Sequence, residues 1–384
     1  MKKKIISIIL AAALVTMSAC GVPAGSQNAA ETAPQEVSGW ETIPVETQAA
    51  QEEVAETVET TAEETVSGPL EVPAGMYLSE LTGEPISIDL KDQRPIAAMI
   101  DNEKTALDHY GTAEADVVYE LMNSTLNDRV TRLMVLVKDW ESIEQLGSIR
   151  SVRTSNFPLA GEWNAVICHD GGPFFIDQYL AKGYVNHFSG TFSRVNNGKP
   201  REFTEYILPG DLDKNFKNSG YSTTYNQYAN SEPHFQFAAW GTEVDMEAIA
   251  DCFDATSVSL PFYHNGSKLI YNEETETYDY YDYGAVHKDA EDGEVLTFTN
   301  VLIQGCPFES YGEGYMNYQL QQTNYGGFYL TKGKAIQVSW SKTSETGITR
   351  YYDKSGKEIT INTGKTYIGI VPSDTWAEVK FNQN

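Results

Sequence analysis

Two arginines, Arg150 and Arg153, stand at the start of a segment whose pattern predicts a helix over residues 151–162. Residues three apart share one face of a helix, and the first turn offers free backbone N–H groups and the positive end of the helix dipole. A guanidinium group binds phosphate or carboxylate through two parallel hydrogen bonds. The spacing therefore predicts a site for a small anion.

Other polar residues lie where the apolar runs that predict strands end, and open α/β sheets place their ligands at such ends. The complete set of ligand-binding candidates is Asp101, Asn102, Glu120, Arg132, Arg150, Arg153, His169 and Asp170. Within this set, Asp101, Glu120 and His169 could serve as metal ligands or as an acid and base for hydrolysis. No residue is assigned a catalytic role.

The same charges also have a purely structural interpretation. If the turn of a predicted hairpin is centred at Leu126, Glu120 and Arg132 lie opposite each other and form a cross-strand ion pair. The two arginines at the predicted helix start could likewise pair with Asp101 or Asp116. The sequence leaves a structural charge network and an anion site open as alternatives.

Sequence motifs of several enzyme classes are missing from the chain. It contains no Gly-x-Ser-x-Gly, no His-Glu-x-x-His and no phosphate-binding P-loop. No spacing of Cys and His resembles a zinc site, so we predict no metal and no cofactor. Cys168 and His169 are neighbours on a predicted strand and point to opposite faces, which argues against a catalytic dyad. Pairing of Cys252 with Cys306 is left open.

Short apolar runs and turn-forming residues predict the elements that position these side chains. In the first part of the body, strands are predicted over 95–100, 117–122, 130–137 and 164–168, with helices over 151–162 and 174–181. Later strands are predicted over 268–271, 278–283, 296–303, 327–330, 335–340, 347–352 and 365–371. The pattern predicts an α+β or α/β N-terminal domain (75–255), with a mixed sheet and flanking helices. A β-rich C-terminal domain (256–384) follows, as a small meander or barrel-like sheet.

The first twenty residues have the composition of a targeting signal. Three lysines precede an apolar run over 5–15, and Ser18 and Ala19 precede Cys20. This pattern predicts a signal peptide over 1–19 and acylation of Cys20, which would anchor the protein to the extracytoplasmic face of the cell membrane. An ordinary signal peptide that happens to contain a cysteine is the alternative.

Residues 20–74 predict a disordered acidic linker. Between Gly21 and Ala74 there are eleven glutamates and no Asp, Lys or Arg. High net charge with few aromatic residues leaves too little apolar surface to offset the entropy of ordering. The whole chain of 384 residues carries a formal charge of −27, which argues against nucleic acid as a partner.

An ordered set of motifs resembles a known family. The motifs are Arg94-Pro95, Met99-Ile100-Asp101-Asn102, Ala115 to Glu120, Thr131-Arg132, Gly147 to Arg153, His169 to Gly172, Gly333 to Ile336, Tyr351 to Asp353, Gly356 to Ile359 and Thr366 to Pro372. Together they resemble the YerB-like lipoproteins of Gram-positive bacteria. The chain departs from that family's pattern at 127–130, where Gly-Gly typically precedes Thr-Arg, and at Ser148, where Pro is usual. The resemblance implies a cell-envelope location and paired domains, and it implies no established reaction.

These observations favour a membrane-anchored lipoprotein that binds a cell-envelope ligand or partner through an Arg-rich anion site. The ligand would be a cell-wall component or another small anion. The alternative function is an envelope hydrolase or transferase that acts on a phosphorylated or glycan substrate. Its active residues would be Asp101, Glu120, Arg150 and Arg153.

Overall fold

The computed structural model describes residues 68–382. The predicted signal peptide, Cys20 and the predicted linker up to residue 67 lie outside that range. The last residues of the predicted linker, 68–74, are described, and within them the Leu70 N–H donates a hydrogen bond to the Trp240 carbonyl oxygen at 2.7 Å. No helix within residues 68–382 is long and apolar enough to cross a membrane.

Strands dominate the described chain. Before residue 256 they are β1 Met76–Leu78, β2 Pro85–Ser87, β3 Ile96–Asp101, β4 Val117–Met122, β5 Thr131–Val137, β6 Leu146–Gly147, β7 Val166–His169, β8 His187–Ser189, β9 Ser193–Arg194, β10 Glu205–Ile207, β11 Gln236–Phe237 and β12 Phe253–Asp254. After it they are β13 Ser257–Ser259, β14 Lys268–Asn272, β15 Thr277–Asp282, β16 Ala285–Val286, β17 Thr297–Phe298, β18 Asn300–Cys306, β19 Phe308–Gly312, β20 Tyr315–Tyr318, β21 Tyr325–Thr331, β22 Lys334–Ser341, β23 Arg350–Tyr352, β24 Thr360–Ile361, β25 Thr366–Pro372 and β26 Lys380–Phe381. The α-helices are α1 Asn156–Glu162, α2 Asp177–Leu180 and α3 Asp211–Ser219.

Eleven strands form one mixed sheet to which both predicted domains contribute. Its order is β12-β22-β21-β18-β25-β4-β5-β3-β7-β8, and β23 pairs with β22. β25 lies between β18 and β4 and runs parallel to both. Strands β13 to β17 and β26 form a second sheet of six. The predicted mixed sheet is thus present, but the C-terminal strands extend it instead of closing a separate barrel. The domain boundary at 255/256 stays a prediction.

The main sheet is buried on both faces, and its residues alternate between two apolar cores. On β3, Ile96, Ala98 and Ile100 pack in the core that contains side chains of the second sheet. Ala97 and Met99 pack in the other core, with side chains of α1. Burial on both faces explains why the strands are continuous apolar runs in the sequence. It also means that the polar residues at their ends are held in fixed positions.

The prediction of flanking helices is wrong in extent, because the described α-helices have only seven, four and nine residues. The helix predicted from residue 151 begins at Asn156. Before it, the backbone N–H groups of Arg150 and Val152 donate to the carbonyl oxygens of Met99 and Gly171. These bonds hold the segment in an extended path beside β3. The helix predicted over 174–181 is present as a 3-10 turn, Phe174–Ile176, followed by α2.

A buried carboxylate fixes the end of α1. Glu162 accepts hydrogen bonds from Lys342 Nζ, Thr349 Oγ1 and the Tyr119 hydroxyl, each at 2.9 Å. The Lys342 and Glu162 side chains are 1% and 0% exposed. Burial raises the pKa of Glu162, but the opposing effects of Lys342 and His234 are larger and leave it well below its usual value. This ion pair joins the end of α1 to the residue that directly follows β22 of the main sheet.

The three described cysteines are free. Cys168 and Cys306 are buried, and Cys252 is half-buried. The open question of a Cys252–Cys306 disulfide is therefore answered in the negative. Burial raises the pKa of the Cys168 thiol, so it is protonated at neutral pH and a poor nucleophile.

Candidate functional site

Asp101 and Arg132 are directly paired across β3 and β5, on the sheet face that carries α1. Asp101 is the last residue of β3, and Arg132 is the second of β5. The Arg132 Nη2 atom lies 3.6 Å from Asp101 Oδ2, and its Nη1 atom donates to the Ser151 carbonyl oxygen at 2.5 Å. Both side chains are nearly inaccessible, so this pair forms the floor of a site.

Arg150 and Arg153 reach the same place from the segment before α1. The Arg150 Nε atom donates to the Asp101 carboxylate, and Nη2 lies 3.3 Å from Glu202 Oε2. The Arg150 guanidinium also covers the Phe203 ring at 5.3 Å from its centroid. Arg153 donates from Nη1 to the Val152 carbonyl oxygen at 3.2 Å. Within residues 68–382, no carboxylate lies within ion-pair distance of Arg153.

The three arginines line an open cavity of about 570 Å³. Its walls come from five parts of the chain: the end of β3, the β4–β5 connection with the start of β5, the segment before α1, the segment around residues 200–203 and the turn of the β19–β20 hairpin. The lining side chains are those of Asp101, Glu103, Thr105, Asn123, Ser124, Asn127, Val130, Arg132, Arg150, Arg153, Pro200, Glu202, Phe203, Glu313 and Tyr315, with Gly314 completing the wall. We call this space the arginine cavity.

The interior of the arginine cavity has an excess of positive charge. Three guanidinium groups meet the buried carboxylate of Asp101 and the half-buried carboxylate of Glu103, whereas Glu202 and Glu313 are exposed at the rim. The Nε atoms of Arg132 and Arg153 are buried and have no hydrogen-bond acceptor among the described atoms. Burial lowers the pKa of Arg132 to about 9 in spite of Asp101. An added anion would supply the missing acceptors and offset the desolvation of the guanidinium groups.

Asp101 itself is held in its ionised form. Burial raises the pKa of its carboxyl group, but Arg132 and Arg150 oppose this effect and bring the pKa below its ordinary value. The Asp101 Oδ1 atom also accepts the Glu103 N–H at 3.0 Å. A carboxylate that is stabilised in this way is a weak proton donor or acceptor near neutral pH.

Glu120 and Asn102 belong to a separate buried network. The carboxylate of Glu120 accepts hydrogen bonds from four hydroxyl groups and one amide, those of Thr131 (2.7 Å), Ser267 (2.7 Å), Tyr280 (3.0 Å), Tyr367 (2.6 Å) and Asn102 (3.3 Å). The predicted ion pair between Glu120 and Arg132 is wrong, because Glu120 is opposite Leu133. A shift of one residue places the two charges on opposite faces of the sheet.

His169 and Asp170 are also outside the arginine cavity. The His169 ring is hydrogen bonded to the Gly171 carbonyl oxygen at 2.7 Å and to His187 Nδ1 at 3.0 Å. Asp170 Oδ2 accepts from Arg194 Nη2 at 2.7 Å. The predicted set of eight residues is thus divided. Four line one cavity, and four are engaged in other contacts.

Twelve of the sixteen residues that line the cavity were not predicted from the sequence, among them Glu202, Phe203 and Tyr315, which lie beside the arginines. Tyr315 is contributed by a hairpin of the C-terminal part, and nothing in its local sequence indicates its position beside Arg153. The β19–β20 hairpin is a separate two-stranded sheet, and tertiary contacts such as the hydrogen bond from the Tyr318 N–H to Ser155 Oγ at 2.9 Å hold it beside Arg153.

Two family matches cover most of the described body. Residues 81–222 match the family described as "Protein of unknown function (DUF3048) N-terminal domain", and residues 258–368 match the corresponding C-terminal domain. The chain belongs to the YerB-like family. This membership confirms the resemblance found in the sequence motifs.

A YerB-like relative is "Putative lipoprotein YerB" of Bacillus subtilis (strain 168). The two proteins are 22% identical over 305 residues, which is 76% of this chain and 85% of the relative. A crystal structure of YerB from Bacillus subtilis aligns with a TM-score of 0.67 at 20% identity, and the alignment covers 80% of this chain and 100% of that one. At this identity the structural likeness shows a common fold.

Proposed function

We propose that this protein binds an anionic ligand of the cell envelope in the arginine cavity. The observation that carries the proposal is the pair of buried Nε atoms on Arg132 and Arg153, which have no acceptor in residues 68–382. A buried polar group without a partner costs about 1–3 kcal/mol, and more when it is charged. A phosphate or carboxylate group satisfies both atoms and adds charge-assisted hydrogen bonds.

The arginine cluster differs in sign from the overall charge of the protein. With a formal charge of −27, the molecule repels anions from most of its surface. A local cluster of three guanidinium groups is an exception in such a field.

The hydrolase or transferase alternative is less well supported by the geometry. It requires Asp101 and Glu120 to act on one substrate, but Glu120 is fully buried and does not line the cavity. Asp101 is bound by two arginines and lacks the raised pKa of a general acid. Ligand binding without a catalysed reaction requires only the three arginines in their observed arrangement.

Arg153→Gln is expected to weaken binding of inorganic phosphate by about 10- to 100-fold, since it removes a charged hydrogen-bond donor worth about 1.5–3 kcal/mol. The measurement is isothermal titration calorimetry on the full chain in mild detergent. Arg129→Gln is the matched control, because Arg129 is paired with Asp374 and does not line the cavity. Equal phosphate affinity in all three proteins would exclude the proposed site.

We also propose that a lipid on Cys20 holds the protein at the extracytoplasmic face of the membrane. The sequence before Cys20 supports this anchor, and the YerB relative carries the description of a lipoprotein. Cys20→Ala is expected to move most of the protein from the membrane fraction into the medium, because the acylated thiol is lost. Fractionation followed by immunoblotting measures the shift, with Cys252→Ala as control. Full retention of Cys20→Ala on membranes would contradict the anchor.

A further inference from the structure

Four aromatic side chains extend from the edge of the arginine cavity. Tyr315 lines the cavity, and its ring centroid is 5.5 Å from that of Phe175. Phe175 is 4.8 Å from Tyr311 and 4.0 Å from Phe174. Phe174 is 73% exposed, the highest value among the large apolar residues of the described chain. We call these four residues the aromatic ledge.

A second, smaller cavity lies next along the same strand. It has a volume of about 280 Å³, and its lining includes Tyr179, Asn317, Gln319 and Gln321. Side chains alternate along β20, so Tyr315 and Asn317 share one face and are about 7 Å apart. The intervening Met316 is buried on the other face. One exposed face of β20 therefore leads from the arginine cavity to a cavity rich in amide groups.

This order of groups matches the chemistry of one class of ligand. The C–H faces of sugar rings stack on aromatic rings, and sugar hydroxyl groups exchange hydrogen bonds with amide side chains. Phe174 is exposed and the other three rings of the ledge are half-buried, and such an apolar surface beside a polar cavity marks a place that meets a partner. The arginine cavity at one end of this surface favours a ligand that carries a negatively charged group.

We propose that the ligand is an anionic carbohydrate chain, with its phosphate or carboxylate group in the arginine cavity and its sugar rings on the aromatic ledge. Hydroxyl groups further along the chain meet Asn317, Gln319 and Gln321. The inference rests on the proposed anion site and adds the class of ligand. Tyr315 lines one cavity and Asn317 the other, and their spacing of about 7 Å along β20 suits adjoining units of a chain and not an isolated phosphate.

The test compares four probes on the full chain in mild detergent by calorimetry: inorganic phosphate, glucose 1-phosphate, trigalacturonate and the neutral maltotriose. We expect at least one anionic carbohydrate to bind tenfold or more tightly than inorganic phosphate, and maltotriose to bind more weakly than either. Preference for glucose 1-phosphate or for trigalacturonate identifies the charged group as phosphate or carboxylate.

Phe174→Ser separates the ledge from the anion site. It is expected to weaken the anionic carbohydrates at least fivefold more than it weakens phosphate, with the exposed Tyr228→Ser as a control. If phosphate binds as tightly as every carbohydrate, the ligand class is wrong and the anion site stands. If none of the four probes binds, both proposals fail. A Phe174→Ser protein that keeps the full carbohydrate preference removes the ledge from the proposal.

Discussion

Lys342→Met is expected to lower the free energy of unfolding by about 3–5 kcal/mol, because it leaves the buried Glu162 without its cation. Met fills a similar volume, so the loss comes from charge rather than from a cavity. Denaturant titration followed by intrinsic fluorescence measures the change. The matched control is Lys354→Met, which removes an exposed pair with Asp251 and should change stability by less than about 0.5 kcal/mol.

The same ion pair predicts a dependence on pH. The pKa of Glu162 is lower in the folded protein than in the unfolded chain, so its contribution is complete above the ordinary carboxyl pKa of about 4.3 and is lost as the pH falls below it. Lys342→Met should therefore differ most from the native protein at neutral pH, and the two should converge in acid. A constant difference between pH 7 and pH 3 would show that Glu162 is not the group involved.

Asp101→Asn is the second substitution with a large expected effect. It retains the shape of the side chain and the bond to the Glu103 N–H, but it removes the only buried carboxylate between Arg132 and Arg150. We expect a loss of about 3–5 kcal/mol in the free energy of unfolding, because two guanidinium groups are left in one desolvated space. Thermal or chemical unfolding without added anions measures it.

Inorganic phosphate should restore stability to Asp101→Asn more than to the native protein. An anion in the cavity replaces the missing charge, and a ligand at 100 times its dissociation constant adds about 2.7 kcal/mol. Asp374→Asn, at the exposed pair with Arg129, is the control and should show no added response. Equal phosphate stabilisation of Asp101→Asn and of the native protein would mean that the anion binds elsewhere.

Local patterns were sufficient to place most strands. Runs such as Val117–Met122 were predicted with their observed bounds, since strands buried on both faces are continuous apolar segments. The pairing of those strands was beyond the sequence, because β25 joins β4 through contacts between distant parts of the chain. The helix was predicted to start at residue 151, five residues before its observed start at Asn156, because the Arg150 backbone is held in an extended path. Its N–H bonds to β3, a tertiary contact that overrides local preference.

Residue type and spacing predicted four of the sixteen residues that line the cavity, which are half of the eight candidates. Arg150 and Arg153 line the cavity together with Asp101, as arginines near a strand end are expected to do. Glu120 was misplaced because the turn beyond Leu126 contains Asn127, Asp128 and Arg129 in left-handed conformations, and it shifts the register by one residue. The periodicity of apolar residues in the sequence does not indicate how long such a turn is. The ledge was missed because stacking between Phe175 and Tyr315 joins two halves of the chain.

The position of β25 has a consequence for the order in which the molecule folds. β25 is the last strand of the main sheet along the chain, yet it occupies the middle of that sheet. In a chain that emerges N-terminus first, the main sheet cannot be completed until its central strand is available. Long-range pairings of this kind are slow to form. Meanwhile β4 and β18 expose unpaired edges through which unfinished chains associate. The time at which residues 366–372 pair with β4 and β18 therefore sets how soon the main sheet is complete.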